Sequence, residues 1–204
     1  MVLNGMRRNW GRMMNMQKMG IDSAHTVKII KKYIKPNDMI LDIGCGAGET
    51  TYFLEKDCYN HIYNIDIKDM RRFVTKRFQL YDGFNIPFGD NIFNVVMLNF
   101  ILHHVPNYRK NFLLKEAIRV TKKHLFILED TPRTCIDRLI SYIHGISYRR
   151  EINSKSNFGF YTQKHWEDTF YSLELKIIIS QKLSRFCRRK IHPFTRCFFF
   201  LEKI

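Results

Sequence analysis

The chain has 204 residues, with 34 basic and 19 acidic side chains for a formal net charge of +15, and 45% of it is hydrophobic. That length and apolar content suit one domain, residues 1–204, with a core of ordinary size. The longest nearly unbroken apolar run, Val95 to Leu102, contains Asn99 and falls far short of the ~18 residues of a membrane span.

The N-terminus lacks an apolar signal region, so an intracellular protein is expected. Five cysteines (45, 58, 135, 187 and 197) without a C-x-x-C pair argue against a disulfide framework and a zinc centre, and no metal is expected. Two readings of the positive charge stand side by side: an anionic partner such as RNA, DNA or an acidic membrane surface, or a biased composition.

Residues 1–22 read as an N-terminal arm or lid. Met6, Trp10 and Met13 share one helical face beside Arg7, Arg8 and Arg12, which suits a lid, a surface-binding helix or an arm packed on the domain. Ser23 is placed to cap a helix whose stripe is Val27, Ile30 and Ile34, with Lys28, Lys31, Lys32 and Lys35 facing water. Pro36-Asn37-Asp38 ends it.

Met39 to Glu49 then reads as a strand, a glycine turn and a helix start. Glycine is needed where the backbone takes positive φ or meets a ligand closely. A dinucleotide site wants G-x-G-x-x-G, whereas these glycines fall at 44, 46 and 48 between Asp42 and Glu49. Such carboxylates repel phosphate and suit a ligand that carries positive charge. The run Leu41-Asp42-Ile43-Gly44-Cys45-Gly46-Ala47-Gly48 resembles the first motif of the class I S-adenosylmethionine-dependent methyltransferases.

His61 to Ile67 forms a second predicted strand ending in Asp66, to which the resemblance gives the ribose hydroxyls; a helix-capping role before Lys68 is the alternative. A third strand is expected over Lys76 to Tyr81. The following Asp82-Gly83-Phe84-Asn85-Ile86-Pro87-Phe88 resembles a signature of the type 11-like methyltransferase group, with Asp82 and Gly83 on the adenine. Asn94 stands where that group usually has Asp. In sum the resemblance implies S-adenosylmethionine as cofactor, held by Asp42, Gly44, Cys45, Gly46, Gly48, Asp66, Ile67, Asp82, Gly83 and Asn99 within a core at 39–130.

The fourth strand is expected over Ile92 to Leu98. His104 or His103, just beyond it, is a candidate general base, or else a structural histidine. Leu113, Leu114, Ala117 and Ile118 give a helix face, and His124 to Leu128 a fifth strand. Glu129 and Asp130 follow as candidate substrate ligands or base, with dipole compensation as the plain alternative. Thr131-Pro132 is expected to open a helix with the stripe Ile136, Leu139, Ile140 and Ile143.

Residues 145–171 are expected to form a substrate cap, with no visible period as far as Tyr161, itself a substrate candidate. Within that range Thr162 caps a short helix carrying Trp166 and Phe170. Strands over Leu175 to Leu183 and Phe194 to Lys203, joined by a basic hairpin, complete the chain. The expected fold is α/β: a seven-stranded Rossmann-like methyltransferase sandwich, mostly parallel, with its last strand antiparallel. The expected activity is methyl transfer to a small-molecule acceptor. An RNA methyltransferase and a non-catalytic cofactor- or RNA-binding partner subunit are the rivals.

Overall fold

The computed structural model describes residues 23, 26–139, 141–143, 159–183, 186–187, 190–191 and 195–204. The elements are α1 (26–30), β1 (Ile40–Ile43), α2 (Glu49–Lys56), β2 (Ile62–Asp66), β3 (Phe78–Leu80) and β4 (Phe93–Asn99). They continue with a 3-10 turn (Leu102–His104), α3 (Asn107–Val120), β5 (Thr121–Asp130), α4 (135–139 and 141–143), α5 (Gln163–Ser172) and β6 (Leu175–Leu183). A small hairpin of β7 (Phe186–Cys187) and β8 (Lys190–Ile191) precedes β9 (Arg196–Lys203).

Seven strands make one sheet in the order β3-β2-β1-β4-β5-β9-β6. β1 pairs in parallel with β2 and β4, and β5 joins β4 the same way; only β9 runs against its neighbours, antiparallel to both β5 and β6. Strands covered on both faces read as apolar runs rather than alternations, and β1 is buried at every position. One face packs Leu41, Val96, Leu98, Ile127 and Phe199 against α3 and α5. The other packs Ile40, Met97, Phe126 and Phe198 against Val27, Ile30 and Ile34 of the α1 region and Leu54 of α2. The sheet is thus the middle layer, and its parallel strands all end at one edge.

Several sequence expectations need correction. β5 begins at Thr121, earlier than the expected His124, because Thr121 pairs with Phe93 of β4, and it ends at Asp130 opposite Arg196. β3 is shorter than expected. Ser23 donates its hydroxyl to Glu49 Oε2 at 2.7 Å, a bond across the fold rather than a cap. Thr131 and Pro132 do not open α4: Thr131 still pairs with Thr195, and the cap is Thr134. The Thr134 hydroxyl accepts the Asp137 N–H at 3.1 Å while the Asp137 carboxylate accepts the Thr134 N–H at 2.9 Å, a reciprocal capping box.

The expected α4 stripe points outward, with Ile136, Leu139 and Ile143 exposed and Asp137 and Ser141 buried; Ile140 lies outside the described residues. In the expected cap, 145–158 lie outside the described residues, and 163–171 belong to α5, whose Trp166 and Phe170 are core. The N-terminal arm is also outside them. α5 itself is as expected, Thr162 accepting the His165 N–H at 3.2 Å. Among the described residues no helix is long and apolar enough to cross a membrane.

Candidate active site

The carboxyl edge of the sheet gathers the predicted residues in two groups. The first surrounds the turn after β1. Gly44 and Cys45 N–H groups bond the Ile65 carbonyl, tying the turn to β2. Asp66 Oδ2 accepts the Gly46 N–H at 2.8 Å, and Oδ1 accepts Ile67 N–H at 2.7 Å. Asp66 therefore holds the glycine turn and starts its own.

The three glycines face different neighbours. A Cβ on Gly44 would lie 1.8 Å from Ile101 Cδ1, and one on Gly48 would lie 3.0 Å from the Phe73 carbonyl oxygen. A Cβ on Gly46 would meet nothing within 4 Å, so the turn opens to free space there, at φ +51°. Gly83 and Ile67 sit together, the Ile67 Cγ2 being 3.0 Å from where a Gly83 Cβ would stand. Asp82 is exposed and accepts the Phe84 and Asn85 N–H groups, building the turn that presents Gly83.

Asp42 is buried beneath the turn and receives Asn99 Nδ2 at 3.5 Å. Thr51 Oγ1 lies 3.1 Å from Asp42 Oδ2 and 2.5 Å from Asn64 Oδ1. One hydroxyl proton cannot serve both acceptors. A protonated Asp42 resolves this by donating to Thr51, which then donates to Asn64. Consistent with that chain, burial pushes Asp42 up to about 7, the Thr51 hydrogen bond opposing and the Asp66 charge adding to it. Burial, with the charges of Asp42 and Asp66, also pushes the Cys45 thiol far up, so it stays protonated and unreactive. Asn99 Oδ1 is buried and meets no donor among the described residues.

The second group lies past β4. Phe100 leaves the strand at φ +56°, a conformation costly for a bulky residue and common at functional sites. This lays Ile101 over Gly44 and starts the 3-10 turn carrying the two histidines. His103 Nδ1 lies 2.7 Å from Glu129 Oε2, and Glu129 Oε1 accepts the Leu102 N–H at 2.6 Å. Burial pushes Glu129 up to about 8, opposed by the Leu102 N–H and the Lys110 charge. The His103 ring lies 4.1 Å from that of His104 and is stacked 4.7 Å from that of Phe160, centre to centre. His103 is buried, whereas His104 keeps part of its surface.

Two cations here were not singled out from sequence. Lys110 is fully buried, and its ammonium bonds Asn107 Oδ1 at 2.9 Å and the Gly159 carbonyl and sits 4.2 Å over the Tyr161 ring. Three protons thus meet three acceptors, and burial lowers its pKa to about 8. The signal existed: Lys110 falls on the same stripe as Leu113, Leu114 and Ala117. Arg196, buried at the start of β9, pairs in register with Asp130 and lies 5.8 Å from the Phe100 ring centre. Tyr161 is tied into the core through Lys110 and Trp166.

A sheet in this order, with one antiparallel strand inserted beside β5 and a carboxylate-framed glycine turn after β1, is the class I methyltransferase architecture. Comparison with known proteins agrees: a family model described as a methyltransferase domain matches residues 41–127. An uncharacterized protein of Methanocaldococcus jannaschii is 37% identical over 97 residues, covering 46% of this chain and 41% of that protein. A demethylmenaquinone methyltransferase of Bacillus cereus is 26% identical over 148 residues, covering 65% and 62%. The chain thus spans less than two thirds of the length of these relatives. A solved S-adenosylmethionine-dependent methyltransferase of Methanosarcina mazei superposes with a TM-score of 0.66 over 86% of this chain and 97% of its own, at 17% identity. Residues 41–127 thus match a methyltransferase domain, carried on a fold shared with solved S-adenosylmethionine-dependent methyltransferases.

The residues present fit that cofactor. Open space at Gly46, two buried carboxylates beneath it and an unengaged Asn99 oxygen suit a ligand with cationic groups and hydrogen-bond donors.

Proposed function

We propose that the chain transfers the methyl group of S-adenosylmethionine to a small-molecule acceptor. The observation that carries this reading is the pair of buried carboxylates, Asp42 and Asp66, under the one glycine of the turn that faces open space. Asp42 and Asn99 hold the cationic end of the cofactor, Asp66 its ribose, and Ile67 with Gly83 flank its adenine. When bound, S-adenosylmethionine supplies a methyl group already activated by its sulfonium. The bond from sulfur to methyl breaks as the bond to the acceptor O, N or C forms, and S-adenosylhomocysteine leaves. Alignment therefore supplies most of the rate.

His104 takes the acceptor proton as general base. His103 is a positioning residue: Glu129 fixes its ring through Nδ1, and it packs against His104. Glu129 thus acts through His103, while Asp130 and Arg196 border the acceptor side. A small acceptor is favoured over RNA because part of the positive charge is spent on the fold. Arg71 pairs with Asp69, Arg77 bonds the Asn60 carbonyl, and Arg119 pairs with Glu116 and Asp90. The name of the Bacillus relative is also that of a small-molecule methyltransferase.

The test is cofactor binding by calorimetry together with transfer from labelled cofactor into a metabolite extract, with and without ribonuclease. Binding plus ribonuclease-insensitive transfer is expected. Binding without any transfer would point to a partner subunit, and ribonuclease-sensitive transfer to an RNA enzyme.

A further inference from the structure

α4 is turned inside out. Ile136, Leu139, Tyr142 and Ile143 are 69%, 59%, 63% and 58% exposed, while Asp137 and Ser141 are 1% and 3% exposed. The polar side faces inward because Asp137 is spoken for: its carboxylate accepts the Arg133 and Thr134 N–H groups at 2.9 Å and the Thr195 hydroxyl at 3.2 Å. Those bonds fix the rotation of the helix about its own axis. At 3.6 residues per turn the positions opposite Asp137 and Ser141 are then the apolar ones. An apolar helix face held outward against water is an interaction surface.

Charge chooses its occupant. Arg133 and Arg138 are exposed beside it, and the one carboxylate of the segment, Asp137, is turned inward. Apolar side chains with a tyrosine, bordered by arginines and no outward acid, complement an anionic lipid surface.

We propose that α4 docks in the plane of an anionic membrane surface, with Ile136, Leu139, Tyr142 and Ile143 seated at the boundary of the acyl chains and Arg133 and Arg138 on headgroup phosphates. Four residues separate α4 from the carboxyl end of β5, so docking brings the candidate site towards the lipid. The surface stands independently of the methyl-transfer reading.

The test is flotation of the whole chain with vesicles of phosphatidylcholine alone or mixed with phosphatidylglycerol. Binding to the mixed vesicles is expected, reduced by about tenfold or more in the I136S/L139S/I143S variant and in R133E/R138E. Both variants should melt like the parent, since every altered side chain is exposed. If the first misfolds, the charge reversal still decides. A parent chain that stays with the soluble fraction overturns the proposal. So does a triple variant that binds as the parent does, whether charge alone or residues 1–22 then carry the binding. Dimerisation in light scattering that the triple variant abolishes would assign the face to a second copy instead.

Discussion

Gly46 and Gly48 share a left-handed backbone but not a task, since Gly48 makes room for the loop at Phe73 and Gly46 opens on free space. Gly46→Val should therefore abolish S-adenosylmethionine binding in calorimetry, at a stability cost of only about 1–2 kcal/mol for the strained φ. Unchanged affinity in a folded variant would remove the turn from the site. Asp42 adds a pH dependence. Its proton is held up to about pH 7 by burial, so the negative charge that suits the cofactor is lost as pH falls through that value, and affinity should fall with it. Asp42→Asn should bind weakly with a flat pH profile. For Glu129 the sign concerns stability: its pKa is raised from 4.5 to about 8, so the folded state holds a proton that the unfolded chain releases between those values. Its contribution is present below about pH 4.5 and lost as pH rises through about 8. Melting temperatures of the parent should fall, relative to Glu129→Gln, over that window. The glycine motif and its acidic neighbours were legible because they are contiguous. Lys110 and Arg196 were not, because a cation in an apolar stripe reads as an interruption until its acceptors, Gly159 and Tyr161 for Lys110, are seen to come from elsewhere.

Among the elements, α3 and the segment entering α5 are joined through the buried ammonium of Lys110. Lys110→Met would leave Asn107 Oδ1 and the Gly159 carbonyl without their donor, a loss of roughly 1–3 kcal/mol. Because Phe160 follows Gly159 and stacks on His103, turnover should fall as well while cofactor affinity holds. Thermal melting and single-turnover rates check the two effects separately; a variant with normal rates would detach this clamp from the chemistry. His104→Ala should lower turnover by about 10²–10⁴ if it removes the acceptor proton. Strand positions were readable from apolar runs, since central parallel strands have no exposed face to break them. The rotation of α4 was not: periodicity reports that a stripe exists, whereas the direction it faces depends on the bonds of Asp137, one of them from Thr195, just before β9 and far away in sequence.

On the scale of the whole molecule, a net charge of +15 raised the question of RNA. Binding to mixed RNA by filter assay should be weak near physiological salt. Submicromolar affinity falling by ~0.7 log units per log salt for each single-strand contact would reverse the preference for a small acceptor. The order of the sheet has another consequence, for how the molecule comes into being. Among the described residues β9 is the only neighbour of β6 in the sheet, and it also seals the flank of β5. While a ribosome is still making the chain, β5 and β6 border the gap that β9 will fill, each showing unpaired backbone groups. Strand closure must wait for Arg196–Lys203, so the half-built sheet is the form most exposed to sticking to its own kind. Refolding from denaturant should accordingly show one late, cooperative step, and Phe199→Ala, inside that closing strand, should slow it.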